Sequence, residues 1–157
     1  MNIQGMSALV TGGGSGLGEA TARELARLGA KVAVLDLNLE NAQKVAADIG
    51  GIAIQCDVTN AASMENAVAE AAKAQGGARI LMQIAGIGTA KRIVGKDGNP
   101  APLEDFAKVV NVNLIGTYNA ARVFAAACAK LDPMEDGERG AMVFTASVAA
   151  FDGQVGQ

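Results

Sequence analysis

The chain contains no histidine, and that absence narrows its chemistry at once. A Ser-His-Asp hydrolase triad cannot be assembled, and neither can a zinc site built on imidazole. Proton chemistry falls to Ser, Tyr, Lys, Asp or Glu. Ser147 without an imidazole base is not an activated nucleophile, but its hydroxyl can donate a hydrogen bond to a substrate carbonyl oxygen. Asn113 falls within an apolar stripe of helical spacing: Phe106, Val109, Val110, Thr117, Ala120, Phe124 and Ala127. A buried amide there costs about 1–3 kcal/mol unless its hydrogen bonds are made. Two readings stand side by side, a packing Asn bonded to water and a polar anchor reaching an active crevice. Gly116 weakens a helix by about 1 kcal/mol relative to Ala, which points to the close approach of another backbone.

A second cluster lies near the amino terminus. Thr11 is followed by Gly12, Gly13, Gly14, Ser15, Gly16, Leu17 and Gly18. The apolar run 7–10 precedes this stretch and a helical pattern follows it, so it reads as a strand-to-helix turn. Gly12 lets the chain reverse tightly, Gly16 lets a phosphate approach the main chain, and Gly18 leaves room for helix–strand packing. The free N–H groups and positive end of the helix then face a diphosphate. A glycine run alone also fits a flexible loop, but the next strand separates the two readings. It ends on Asp36, 18 residues after Gly18, where a dinucleotide fold needs a carboxylate for the ribose. No Gly-Lys-Ser/Thr follows the glycines, which excludes Walker-type phosphate binding.

Alternating elements must hold these residues. Helical periodicity runs over 16–28, with Leu17, Thr21, Leu25 and Leu28 on one face and Gly29 as the stop. Asn38 caps a second helix, whose Leu39, Ala42, Val45, Ala46 and Ile49 share a face. Thr59 or Asn60 caps a third over 61–74, and a fourth runs over 103–130. Strands are expected at 7–10, 31–35, 52–56, 80–84 and 141–145. This alternation implies an α/β, Rossmann-type, doubly wound parallel sheet. Ligands of such sheets bind at the carboxyl ends of the strands, where the strand order reverses. Thr11, Asp36, Asp57, Ala85-Gly86 and Ser147 each follow a strand. The segment 86–102 is long enough to serve a binding site, a surface excursion being the alternative. No repeat or second domain is evident, so 1–157 reads as one dinucleotide-binding domain.

Bulk properties exclude other classes. Net charge is −3 with no basic cluster, which argues against nucleic acid or an anionic membrane as main partner. There is no apolar run of spanning length, and residues 1–4 carry no leader pattern. Cys56 and Cys128 read as buried free thiols of a reducing compartment, the cytoplasm or, in a eukaryote, the mitochondrial matrix. No metal site is expected.

The motifs Thr11-Gly12-x-x-x-Gly16-Leu17-Gly18, Asp36, Asp57-Val58, Ala85-Gly86, Val112-Asn113-Leu114, Gly116-Thr117 and Ser147 resemble, in order and over essentially the whole chain, the short-chain dehydrogenase/reductase family. The resemblance implies NAD as cofactor, held by Gly12, Ser15, Gly16, Leu17 and Gly18. Asp36 would bind the adenosine ribose hydroxyls, and neither Ser15 nor Leu37 beside it is basic, which favours NAD over NADP. Asp57 and Val58 would flank the adenine, and Ile84, Ala85 and Gly86 the inner ribose side. Asn113 would hold a proton-relay water, Ser147 would orient the substrate oxygen, and Gln154 would lie near the substrate. Residues 103–106 and 145–157 imply a 3-hydroxyacyl-CoA or related secondary alcohol, and the family implies a homo-oligomer.

Two departures stand out. Gln83-Ile84-Ala85-Gly86 replaces the family's Asn-Asn-Ala-Gly or Asn-Cys-Ala-Gly, which implies a weaker tie between the central strands. The family's Tyr-x-x-x-Lys is missing, since Tyr118 and Arg122 precede Ser147. Relatives place that tyrosine just beyond residue 157, so the chain corresponds to an amino-terminal portion with five strands. The reading from another class is a non-catalytic dinucleotide-binding protein or sensor lacking the Tyr/Lys pair. A methyltransferase would leave Asn113 and Ser147 without a purpose.

Overall fold

The computed structural model describes residues 1–157 apart from Ala90, Gln154, Gly156 and Gln157. Five strands form one parallel sheet: β1 Ser7–Thr11, β2 Lys31–Asp36, β3 Ile52–Gln55, β4 Ala78–Gln83 and β5 Ala141–Phe144. Their order is β3-β2-β1-β4-β5. The helices are α1 Gly16–Arg27, α2 Leu39–Ile49, α3 Ala61–Gln75, α4 Leu103–Val110 and α5 Gly116–Cys128. This is the doubly wound α/β architecture implied by the alternation of patterns.

The central strand explains the layering. All five residues of β1 are buried, as expected of a parallel strand covered on both faces. Ala8 and Val10 point with Val32 and Val34 toward Ala22 of α1 and Ala42 and Val45 of α2. Leu9, Ala33, Leu35 and Ile54 point the other way, toward Met64 and Val68 of α3 and Phe124 of α5. Local signals set the ends. The Asn38 side chain accepts from Asn41 N at 3.1 Å and the Asn60 side chain from Ser63 N at 2.9 Å. Gly50 closes α2 at φ 64°, a conformation that favours glycine.

Two expectations need correction. The buried face of α1 is Gly18 and Ala22 with half-buried Leu25, whereas Leu17 and Leu28 are 74% and 46% exposed. The cause is the tight seat of Gly18 on Gly12: a Cβ at Gly18 would overlap the Gly12 carbonyl oxygen. That seat rotates the small side of α1 onto the sheet. The helix expected over 103–130 is also not uniform. A π-helical turn, Asn111–Ile115, joins α4 to α5, and the chain leaves helical form after Cys128. Neither α4 nor the π turn buries a residue, and Phe106 is 67% exposed. The buried positions of α5 are Gly116, Asn119, Ala120, Phe124 and Cys128.

Candidate functional site

The strand order reverses between β1 and β4, whose carboxyl ends are tied by side chains. The Thr11 hydroxyl donates to Gln83 Oε1 at 2.6 Å and accepts from Ile84 N and Ala85 N, each at 3.2 Å. Gln83 is 1% exposed, and its backbone carbonyl oxygen accepts from Thr145 N and Thr145 Oγ1 just beyond β5. The weakened tie expected from the loss of an asparagine is therefore not found. Gln83 itself bonds Thr11 across the two central strands.

The glycine turn opens directly above this seam. Gly12 has φ 64° and lies against Ala85: a Cβ there would meet Ala85 Cα at 2.9 Å. Gly16 has φ 53° and nothing within 4 Å of its Cβ position, so its backbone faces open space. Ser15 is the N-cap residue of α1 but makes no side-chain cap bond. The first intrahelical bond runs from Glu19 N to Ser15 O, so the amides of Gly16, Leu17 and Gly18 precede the ladder. Such amides form an anion cradle.

Asp36, at the end of β2, is fixed toward that cradle. Its Oδ2 accepts from Gly14 N and its Oδ1 from Asn38 N, both at 2.9 Å. Asp57 follows β3 and accepts from the amide and hydroxyl of Thr59 at 2.9 and 2.7 Å. A cleft of about 560 Å³ runs between these groups. It brings together Gly12, Ser15, Gly16, Leu17, Gly18, Asp36, Asp57, Val58, Ile84 and Gly86. Ala85 stands behind the wall, half-buried and bonded to Thr11.

The same cleft includes Val112 of the motif Val112-Asn113-Leu114, and residues the motifs did not single out: Leu37, Cys56, Thr59, Ile87 and Lys108. Four of these flank motif residues. Lys108 is four residues before Val112 on the adjoining helix, and following that face backward is the only sequence signal for it. Cys56 is buried, and burial pushes its thiol up to about 11, with the Asp57 and Asp36 carboxylates adding to the shift. Burial also raises the Cys128 thiol. Both cysteines are free.

Asn113 departs from the expectation of a buried amide, because it is exposed. The π turn that carries it buries no residue fully, and of its members Val112 packs against the core. Asn113 Oδ1 accepts from Ile87 N at 2.9 Å and its Nδ2 donates to Ile87 O at 2.7 Å. This two-bond ring pins the loop after β4. Gly116 meets a side chain where a backbone was expected, since a Cβ there would lie 2.7 Å from Val58 Cγ2.

Ser147 borders a second pocket, of about 500 Å³, with Gly88, Thr89, Lys91, Arg92, Phe106 and Val109. The segment 86–102 thus supplies one wall, while its tip is an exposed hairpin closed by Gly95 N to Asn99 O at 2.8 Å. Lys91 pairs with Asp105 at the base of α4. The Ser147 hydroxyl accepts from Ala149 N at 3.2 Å, which orients it as the cap of the 3₁₀ turn Val148–Ala150. Gln154 lies outside the described residues. Tyr118 is 68% exposed on α5, and Arg122 is engaged by Asn119 and Glu65. Among the described residues there is no cluster of three metal-ligating side chains and no helix long and apolar enough to cross a membrane.

A protein-family model described as short chain dehydrogenase matches residues 6–157. The chain belongs to the short-chain dehydrogenase family. Among curated relatives, 3-hydroxyacyl-CoA dehydrogenase type-2 of Drosophila melanogaster is 41% identical over 99% of this chain. This short-chain dehydrogenase spans about 62% of the length of that relative. A crystal structure of 3-hydroxyacyl-CoA dehydrogenase type-2 from Mycobacterium avium superimposes with TM-score 0.90 at 44% identity, covering 98% of this chain and 61% of that one. A 3-ketoacyl-(acyl-carrier-protein) reductase from Brucella melitensis, complexed with NADH, gives TM-score 0.73 at 34% identity over 80% of this chain and 51% of that one.

Proposed function

We propose that this short-chain dehydrogenase carries the NAD-binding half of an oxidoreductase acting on a 3-hydroxyacyl-CoA or a related secondary alcohol. The observation that carries the cofactor reading is the Asp36 carboxylate, held by two backbone amides at the far end of a glycine cradle from Ile84 and Gly86. The cradle fits a diphosphate because Gly16 leaves open space and the first amides of α1, those of Gly16, Leu17 and Gly18, precede its hydrogen-bond ladder. The carboxylate fits a ribose diol, whereas a 2′-phosphate would meet like charge with no basic residue among Ser15, Leu37 and Asn38. When bound, the nicotinamide supplies the hydride acceptor. Gly12, Gly16 and Leu17 hold the diphosphate region, Asp57 and Val58 border the adenine, and Ile84 and Gly86 border the inner ribose.

On the substrate side, Ser147 is held by its turn so that its hydroxyl can donate to the carbinol or carbonyl oxygen. Arg92 lines that pocket beside the Lys91–Asp105 ion pair, and its guanidinium suits an anionic substrate such as an acyl-CoA. Asn113 holds Ile87 between the two pockets. The one carboxylate among the described residues lining the Ser147 pocket, Asp105, is paired with Lys91. The 157 residues alone are therefore expected to bind NADH without turning over acetoacetyl-CoA. The second reading, a dinucleotide-binding protein without turnover, is favoured by Arg122, which is bonded away from the exposed Tyr118.

The test is titration with NADH and NADPH before and after Asp36→Ala. Wild-type protein is expected to prefer NADH by at least about tenfold, and the variant to lose most of that preference. Tighter binding of NADPH by the wild type would overturn the assignment.

A further inference from the structure

Asn119 is a polar side chain only 5% exposed, and no motif accounts for it. It sits on α5, on the side facing the loop between β3 and α3. Its Nδ2 donates to Val58 O at 2.8 Å and to Asn60 O at 3.2 Å. Its Oδ1 accepts from Arg122 Nε at 2.9 Å, and Arg122 in turn pairs with Glu65 of α3 at 3.0 Å. One turn earlier on the same helix, Gly116 lies directly under the Val58 side chain. Two α5 residues therefore grip Val58, one by its carbonyl and one by its methyl groups. Val58 lines the cleft between Asp57 and Thr59.

A loop wall held only by its own turn would move with the loop. Here the Asp57–Thr59 turn is closed locally by Asp57 Oδ1 and tied to α3 where Asp57 N donates to Ser63 Oγ at 3.0 Å, and α5 braces it from a second side. The Asn119 amide can make its two donor bonds only with Val58 O and Asn60 O held in that position. The Arg122 guanidinium fixes which way the amide is turned, since its Nε can bond the oxygen but not the nitrogen.

We propose that Asn119, oriented by Arg122, is a positioning residue that sets the adenine-side wall of the cofactor cleft through Val58. The role rests on the dinucleotide reading of that cleft. It predicts a loss confined to the adenosine half of the cofactor. Asn119→Leu removes both donors at similar size, and Arg122→Gln removes the orienting contact from a half-exposed site.

The experiment measures binding of ADP-ribose and of reduced nicotinamide mononucleotide (NMNH, which has no adenosine) to the wild type, Asn119→Leu, Arg122→Gln and Asp36→Ala. Thermal melts identify folded variants. Asn119→Leu is expected to weaken ADP-ribose about tenfold and Arg122→Gln about threefold, with NMNH unchanged. If Asn119→Leu does not fold, the Arg122→Gln result decides alone. Unchanged ADP-ribose binding in the folded Asn119 and Arg122 variants, alongside weakening in Asp36→Ala, overturns the role of Asn119 and leaves the cleft reading intact. Equal losses for ADP-ribose and NMNH reduce Asn119 to a stability role and also overturn it. No effect of Asp36→Ala removes the cleft reading and the inference together.

Discussion

Gln83 joins β1 to β4 through a single buried hydroxyl contact, and its replacement has a calculable cost. Gln83→Leu keeps most of the volume but leaves the Thr11 hydroxyl without an acceptor, at about 1–3 kcal/mol. Urea unfolding should show that loss, whereas Gln83→Glu would bury a charge and cost more. Cys56 gives a pH-dependent counterpart. Its folded thiol titrates near 11, above the ordinary 9.0, so the fold favours the protonated form. That contribution is whole below about pH 9 and is lost as pH rises through about 11, at up to about 1.4 kcal/mol per pH unit. Unfolding free energies at pH 8 to 11 for wild type and Cys56→Ala should diverge in slope across this window, and parallel curves would refute the assignment. Residue types were legible from sequence where a backbone reason existed, as at Gly18 and Asp36. Two asparagines six positions apart show the limit. Asn113 sat on the apolar stripe yet is exposed, while Asn119 was passed over and is buried. Spacing places a residue on a helix face but does not say which face the tertiary structure covers.

The reason for that exchange is an element. The stripe was read at 3.6 residues per turn through the whole of 103–130, but the π turn at Asn111–Ile115 inserts one residue. One residue rotates the following helix by about 100°. Ala120 and Phe124 of the stripe stay buried on α5, with Gly116 and Asn119 beside them against Val58, while Asn113 within the π turn faces Ile87. Nothing in a helical period marks a π turn, although such turns recur at functional sites. Gly116 is where that packing can be tested. Alanine there gains about 1 kcal/mol of helix propensity but sets a methyl 2.7 Å from Val58 Cγ2. Overpacking costs about 1–3 kcal/mol, so Gly116→Ala is expected to be net destabilising by about 1 kcal/mol, with NADH binding weakened as well. Gly116→Ala combined with Val58→Ala should recover the stability because the clash is relieved. A single variant more stable than wild type would mean that Val58 yields freely.

At the scale of the molecule, the layering and the position of the cleft followed from alternation alone, because buried parallel strands and a glycine turn leave one arrangement with a crevice at the reversal point. The uncovered surfaces did not follow, since an apolar stripe shows that a face needs cover without showing what supplies it. Leu103, Phe106, Leu114 and Tyr118 are between 63% and 74% exposed along one helical face. Met142, Val143 and Phe144 of the edge strand β5 are more than 40% exposed, with one side of that strand unpaired. Apolar faces of this kind drive association, and an unpaired strand edge invites pairing with another chain. The two can be separated because they differ in geometry. A helical face gives a closed dimer of defined size, whereas a strand edge gives open-ended growth. The double variant Phe106→Asp, Leu114→Asp is expected to abolish a discrete dimer in sedimentation velocity while leaving slow aggregation in place. Val143→Lys on β5 should do the reverse, suppressing aggregation and sparing the dimer. All three substitutions lie outside the lining of the cofactor cleft, so NADH binding should survive in both variants. A wild-type chain that sediments as a stable monomer at the same concentration would show that the helical face does not self-associate.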